Sequence, residues 1–209
     1  MILHFNGVEI LKKVILYVHG KGGSAAEVER FKRICPDYDI VGIDYKEYLP
    51  WIVEKQIKDT YDQINQQYDQ VLILANSIGA YFSMLTKDMT ITKALFISPL
   101  LNMEQYLLTS LRKNNITETE LRDKGKIIIG QEIFSWQTLQ YVRDNPIDWQ
   151  VPTEILYGEH DDHTSESMLK DFVKKHNADV TVMKDGQHRF HTRSQLAFLD
   201  SWLQEKLEK

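Results

Sequence analysis

Short apolar runs alternate along this chain with longer segments in which apolar residues recur every three or four positions. Runs of four to six apolar residues are typical of strands buried on both faces, and the longer periodicity is typical of amphipathic helices. The alternation predicts an α/β fold with a mostly parallel sheet and helices on both faces. The predicted strands are 14–18, 39–45, 71–75, 94–97, 154–157 and 179–183, after a strand pair within 1–11 that turns at Asn6-Gly7. The predicted helices are 24–33, 53–68, one from Ile78, 165–175 and one that follows Thr192.

The stretch 100–150 does not follow this alternation of strand-like and helix-like segments. It has a capping box at 117–120, a helix stop at Gly125 and a break at Pro146. We expect one domain over 1–209 with 100–150 as a small cap-like insertion. Most of its apolar residues are expected to cover the sheet, while a few line an acyl pocket; they are Tyr106, Leu107, Leu111, Ile127, Ile129, Phe134, Trp136 and Tyr141.

Composition narrows the class of protein. The 209 residues carry a formal net charge of -5, which argues against nucleic acid or an anionic membrane as a partner. Cys35 is the single cysteine, so no disulfide can form within the chain. No secretory signal or membrane-spanning run is recognisable. We predict a soluble cytoplasmic protein, and the sequence leaves its oligomeric state open.

The strongest local motif is 75–79, Ala-Asn-Ser-Ile-Gly, at the end of a predicted strand. A serine at a sharp strand-to-helix turn is strained, so small residues are needed two positions before and after it. Ala75 in place of the usual glycine is a mild departure. The alternative is that Ser77 only caps the following helix, as Ser24 does in its capping box with Glu27.

A glycine-rich loop, 19–23 (HGKGG), follows an earlier predicted strand. An oxyanion hole beside a nucleophile elbow takes one backbone N–H from the residue after the nucleophile and one from such a loop. The predicted donors are therefore Ile78 and Lys21. The spacing matches neither of the common phosphate-loop patterns. The predicted supporting residues are His19, Gly20, Gly22 and Gly79.

A serine nucleophile needs a base, and the base needs an orienting group. Candidates for both follow the last two predicted strands: an acidic loop at 158–162 (GEHDD), then a histidine in 186–188 (GQH). Parallel strands bring such loops to the same edge of the sheet.

Four motifs follow one another along nearly the whole chain: the glycine-rich loop, the serine elbow, the acidic loop and the histidine segment. Their kind and order resemble the α/β-hydrolase superfamily. The resemblance implies Ser77 as nucleophile, His188 as general base and Asp161 as the residue that orients it. It also implies a small acyl substrate and water, with no cofactor or metal. The length of 100–150 is similar to that of the caps of small carboxylesterases, including feruloyl-type enzymes.

Several alternatives stay open. Asp162 and Glu159 compete with Asp161, and His191 competes with His188, although His191 directly precedes a helix N-terminus that opposes its protonation. The run 160–163 (HDDH) could be a metal site, but adjacent positions seldom face one point. The hypothesis is hydrolysis of a small carboxylic ester; thioester hydrolysis, amide or peptide hydrolysis, and a non-catalytic binding module are the alternatives.

Overall fold

The central sheet has six parallel strands in the computed structural model, which describes residues 4–5, 8–9, 11–130 and 132–208. Its strands are β3 (Lys13–Val18), β4 (Asp39–Gly42), β5 (Gln70–Asn76), β6 (Lys93–Ile97), β9 (Thr153–His160) and β10 (Ala178–Gln187). Their order across the sheet is β10-β9-β6-β5-β3-β4. Two antiparallel pairs lie apart from this sheet: β1 (His4–Phe5) with β2 (Val8–Glu9), and β7 (Lys126–Ile129) with β8 (Glu132–Ser135).

Eight α-helices connect the strands within the described residues. They are α1 (Val28–Ile34), α2 (Pro50–Ile64), α3 (Ile78–Leu85), α4 (Met103–Lys113), α5 (Glu118–Lys124), α6 (Trp136–Asp144), α7 (Glu166–Lys175) and α8 (Arg193–Leu207). Short 3-10 turns precede α1 at Ala25–Glu27 and follow α2 at Asn65–Gln67. None of the described helices is both long and apolar enough to cross a membrane.

Two apolar layers cover the two faces of the sheet because successive strand residues point to opposite sides. In β3, Val14 and Leu16 face one layer, whereas Ile15 and Tyr17 face the other. The first layer holds α2, α3, α7 and the 100–150 segment, and the second holds α1 and α8. The α/β fold class predicted from the sequence is confirmed.

The predicted strands and helices are present, with differences at their ends. The strand predicted at 39–45 stops at Gly42, because its parallel pairing with β3 ends where Tyr17 lies opposite that glycine. Conversely, β9 and β10 run on to His160 and Gln187, so Asp161 and His188 come directly after them. The N-terminal strand pair is present, while its predicted turn, Asn6-Gly7, lies outside the described residues.

The 100–150 segment contains α4, α5, the β7–β8 hairpin and α6. The capping box at 117–120 starts α5, and Gly125 ends it with a φ of 73°. Leu107, Leu111 and Leu139 are buried in the first apolar layer, so the segment packs on the same side of the sheet as α2 and α3. This position brings it over the carboxyl end of β5.

Candidate active site

A strained turn presents the Ser77 side chain above the end of β5. Ser77 has a φ of 52° and a ψ of -119°, between the last residue of β5 and the first residue of α3. Such a backbone costs on the order of 1–3 kcal/mol and persists only where its surroundings hold it. Here its N–H donates to the Ile97 carbonyl at 2.9 Å, and its carbonyl accepts from Leu100 N–H at 3.0 Å. The Ser77 side chain makes no capping hydrogen bond to α3, so the helix-cap alternative is wrong.

Close backbone packing explains why the elbow needs Gly79. A Cβ atom at Gly79 would lie 2.3 Å from the carbonyl oxygen of Val18 and 2.6 Å from that of His19. Contact at these distances would push the elbow away from the glycine-rich loop. Ala75 is fully buried in the strand, where its methyl group is accommodated in the first apolar layer. The small residues therefore let the elbow and the loop touch.

Ser77, His188 and Asp161 lie in hydrogen-bonding order. Ser77 Oγ is 2.9 Å from His188 Nε2, and His188 Nδ1 is 2.8 Å from Asp161 Oδ2. The His188 side chain is 15% exposed and that of Asp161 is fully buried. A buried carboxylate is stable only when hydrogen bonds or charge replace its hydration. The second oxygen, Oδ1, accepts from the backbone N–H groups of His163 at 2.8 Å and Thr164 at 3.0 Å.

The competing acidic residues make other contacts. Asp162 is 79% exposed, and its Oδ1 lies 2.8 Å from His163 Nδ1. That hydrogen bond is the main reason that the pKa of Asp162 is lowered. Glu159 accepts from the backbone N–H of Asp185 at 2.9 Å, which ties the two loops together. Only Asp161, among these three acids, bonds to the His188 ring.

The competing histidine also makes other contacts. His191 Nδ1 lies 2.7 Å from the Arg189 carbonyl, and the backbone N–H of His191 donates to Gln195 Oε1.

The loops of Asp161 and His188 are held together by backbone contact, since a Cβ at Gly158 would lie 2.6 Å from the Gln187 carbonyl oxygen and 2.7 Å from the Gly186 carbonyl carbon. The spacing between these loops is thus set by the backbone.

Two tyrosines that sequence reasoning missed hold the glycine-rich loop. The buried His19 ring stacks on Tyr45 with centroids 3.9 Å apart, and its Nδ1 lies 2.8 Å from the Gly20 carbonyl. Gly22 N–H donates to the Tyr48 hydroxyl at 2.8 Å, so this amide is already occupied. Both tyrosines follow β4, and no motif in the sequence distinguishes them from core residues.

The two predicted oxyanion donors border the same space as Ser77. Among the residues that the structure describes, neither the Lys21 nor the Ile78 amide is given a hydrogen-bond acceptor by the protein itself. Ile78 N–H is one of the free amides at the start of α3, where the helix dipole favours negative charge. These amides are available for an oxyanion.

A cavity of about 450 Å³ opens at Ser77. The 100–150 segment supplies much of its wall, including three of the eight apolar residues considered from the sequence: Tyr106, Leu107 and Phe134. The other lining residues are Lys21, Lys46, Glu47, Tyr48, Leu49, Ser77, Ile78, Leu100, Met103, Glu132, Ile133, Ser135, Thr138 and His163. The interior is mainly apolar, and the charged side chains among these residues are Lys21, Lys46, Glu47 and Glu132.

Glu132 connects the glycine-rich loop to the 100–150 segment across the cavity. Its carboxylate pairs with Lys21 Nζ at 2.7 Å and accepts from the Tyr106 hydroxyl at 3.3 Å. Burial, followed by the nearby charge of Glu132, raises the pKa of Tyr106 to about 12. Tyr106 is therefore neutral and donates at neutral pH. No motif in the sequence marks the Glu132–Lys21 pair, because it depends on how the two loops pack together.

The metal alternative at 160–163 does not fit the geometry well. His160 faces Asp185, with Nε2 and Oδ1 3.6 Å apart, whereas His163 faces Asp162, so the four residues split between two places. Donor atoms of Asp161, His163 and His188 do lie within 4.8 Å of one another. However, His188 Nδ1 and Asp161 Oδ2 face each other in a hydrogen bond instead of facing a shared cation.

Comparison with known proteins gives the same fold. No family model matches the chain, and no curated protein matches it in sequence. Among solved structures, Est1E from Butyrivibrio proteoclasticus has a TM-score of 0.73 at 11% identity, covering 100% of this chain and 99% of that one. Alpha/beta hydrolase domain-containing protein 10 from mouse has a TM-score of 0.71 at 13% identity, covering 93% and 89%. The Pyrococcus furiosus esterase PF2001 has a TM-score of 0.58 at 14% identity, covering 95% and 81%. The chain therefore has the fold of the α/β-hydrolase superfamily.

Proposed function

We propose that this protein is a serine hydrolase that cleaves a small carboxylic ester through an acyl-enzyme. The observation that carries the proposal is the hydrogen-bonded series from Ser77 Oγ through the His188 ring to Asp161, with spacings of 2.9 Å and 2.8 Å. A serine hydroxyl is a weak nucleophile unless a base removes its proton. His188 Nε2 is within reach to do so.

In the proposed first step, Ser77 Oγ attacks the ester carbonyl carbon while His188 Nε2 takes the hydroxyl proton. The tetrahedral oxyanion is stabilised by the amides of Ile78 and Lys21. His188 then gives the proton to the leaving alcohol oxygen as the ester C–O bond breaks. Asp161 keeps the proton on Nδ1 and stabilises the imidazolium that forms.

In the second step, water attacks the acyl carbonyl carbon and gives its proton to Nε2. The bond from carbon to Ser77 Oγ then breaks, and Oγ recovers that proton. The carboxylic acid product leaves, and the site returns to its starting protonation. Each step needs only water, the ester and this chain's own groups.

The substrate class is proposed from the cavity. About 450 Å³ with a mainly apolar lining suits a short or aromatic acyl group. One structure of the similar protein Est1E holds ferulic acid, which is the carboxylic acid of an aromatic acyl group. We propose that the 100–150 segment acts as a cap within a single domain and supplies the acyl pocket. The cytoplasmic location stays a prediction.

The test is covalent labelling with a fluorophosphonate, followed by mass-spectrometric mapping of the labelled residue. The expected label is on Ser77, and Ser24→Ala is the matched control that should label normally. With chromogenic acyl esters, Ser77→Ala should lower kcat by roughly four to six orders of magnitude. Labelling elsewhere, or turnover unchanged in Ser77→Ala, would contradict the proposal. A parallel panel of thioesters and anilides ranks the acyl bonds that the site accepts.

A further inference from the structure

The ring of His163 lies almost parallel against the ring of His188. Their centroids are 4.0 Å apart, and their planes differ by 17°. The Tyr106 ring is also nearly parallel to His163, at 5.9 Å and 13°. His163 lines the cavity that contains Ser77. A flat side chain therefore covers part of the His188 ring on the substrate side.

Two polar contacts hold His163 in this place. Its Nδ1 lies 2.8 Å from Asp162 Oδ1, and its backbone N–H donates to Asp161 Oδ1 at 2.8 Å. The pKa of Asp162 is lowered, chiefly by the hydrogen bond to His163, so Asp162 is a carboxylate at neutral pH. A carboxylate only accepts hydrogen bonds, so the proton of this pair is on His163 Nδ1. The ring is thus oriented from both its backbone and its side chain.

We propose that His163 is a positioning residue for His188: its ring, anchored by Asp162, keeps the His188 ring in the plane that joins Ser77 to Asp161. This inference rests on the proposed function. Two hydrogen bonds orient the His188 ring while Ser77 is free. Once Ser77 Oγ is acylated it has no proton to donate, so Asp161 alone holds the ring by hydrogen bonding. The stacked His163 ring supplies the remaining restraint when Nε2 must meet the incoming water.

The stack is expected to matter more for deacylation than for acylation. A side chain held by packing and by supporting hydrogen bonds keeps the geometry that a reaction needs. Without the His163 ring, His188 can rotate away from Ser77 in the acyl-enzyme. Phenylalanine at position 163 would keep a flat ring against His188 but lose the anchor to Asp162. Alanine would remove both the flat ring and the hydrogen bond to Asp162.

The test compares His163→Ala and His163→Phe, with His160→Ala as the matched control. His160 is the last residue of β9, is 62% exposed and faces Asp185 instead of His188. With a chromogenic ester, His163→Ala is expected to lower steady-state kcat about tenfold, which is less than the roughly 10²-fold that a 1 Å misplacement can cost. The acylation burst and KM should change much less, and His163→Phe should recover most of kcat. His160→Ala should behave as the unmodified protein.

A second measurement does not depend on turnover. The proton between His188 Nδ1 and Asp161 should give a low-field resonance in the proton NMR spectrum of Ser77→Ala, in which no serine hydroxyl holds Nε2, as in the acyl-enzyme. The resonance should persist when His163→Phe is added and should broaden or vanish when His163→Ala is added, while the melting temperature stays within a few degrees. A sharp, unshifted resonance in the double variant Ser77→Ala, His163→Ala would overturn the inference. So would a His163→Phe variant as slow as His163→Ala. If the unmodified protein fails to react with fluorophosphonate, the proposed function fails, and the resonance still decides the role of His163.

Discussion

Glu132 Oε1 lies 2.7 Å from Lys21 Nζ, which joins the 100–150 segment to the glycine-rich loop across the cavity. Both side chains are partly exposed, at 36% and 48%, so the pair contributes less than about 1 kcal/mol to stability. The main effect of this ion pair is on the position of the glycine-rich loop. The Lys21 amide is one of the two proposed oxyanion donors, and the ion pair restrains the residue that carries it.

The first prediction concerns Lys21→Met, which keeps the backbone amide and most of the side-chain stem but removes the charge. We expect kcat to fall about threefold to tenfold, because the loop is less well held against the oxyanion. The melting temperature should stay nearly constant. The measurement is steady-state ester hydrolysis beside thermal melting. Lys55→Met, which removes an exposed pair with Asp59 on α2, is the matched control. An equal loss of rate in both variants would refute the positional role.

The second prediction separates the two neighbouring aspartates. Asp161→Asn should lower kcat on the order of 10³- to 10⁴-fold, because an amide in place of the carboxylate favours the wrong tautomer of His188. Asp162→Asn should stay within about threefold, since an amide oxygen still accepts from His163 Nδ1. Kinetics of both variants on one ester provide the comparison. If Asp162→Asn lost more activity than Asp161→Asn, the assignment of the orienting acid would be wrong.

The third prediction concerns the elbow. Alanine favours helix over glycine by about 1 kcal/mol, but a Cβ at position 79 would overlap two backbone oxygens, which costs about 1–3 kcal/mol or more. The steric overlap is expected to outweigh the helix preference, because the added Cβ would lie 2.3 Å and 2.6 Å from the two oxygens. Gly79→Ala should therefore melt several degrees lower and lose activity. Gln63→Ala, at an exposed position of α2, is the control and should melt as the unmodified protein does. An unchanged melting temperature in Gly79→Ala would show that the elbow can relax.

The fourth prediction is a pH dependence within the 100–150 segment. Arg143 of α6 bonds to Glu118 of α5 and Glu104 of α4, and the pKa of Glu118 is lowered, first by its hydrogen bonds to Arg143. A carboxyl with a lowered pKa stabilises the fold above its unfolded value, about 4.3, and loses that contribution as the pH falls through its folded value.

Arg143→Gln should therefore be less stable than the unmodified protein at pH 7, by less than about 1 kcal/mol because the pair is solvent-screened. The difference should shrink as the pH drops below about 4. Urea unfolding at several pH values measures it. A difference that stays constant from pH 7 to pH 3 would exclude an ionic origin.

The residues of the hydrogen-bonded series could be predicted because each comes directly after a strand of a parallel sheet. Ser77, Asp161 and His188 are far apart in sequence, but the carboxyl ends of β5, β9 and β10 meet at one edge. Glycines in fixed places around them mark the sharp turns. The strand pattern and the turn residues predict the loops that carry these side chains, and the resemblance to α/β-hydrolases selects Asp161 and His188 from their neighbours.

The surroundings of these residues could not be predicted in the same way. The Glu132–Lys21 pair, the Tyr48 contact to Gly22 and the stacking of His163 on His188 depend on how loops of different length pack together. No periodicity or motif encodes such contacts. The predicted end of β4 at Tyr45 is wrong for a related reason: the apolar run continues past Gly42, but the strand pairing with β3 does not.

Among the described residues, β10 is an edge strand that pairs with β9 alone, whereas β5 and β3 each lie between two neighbours. Edge elements open locally at a lower free energy than the whole fold does. Warming should therefore release His188 while Ser77 and the glycine-rich loop keep their native shape. The proposed ester hydrolysis would then be lost below the melting temperature, and cooling would restore it without any refolding of the centre of the sheet.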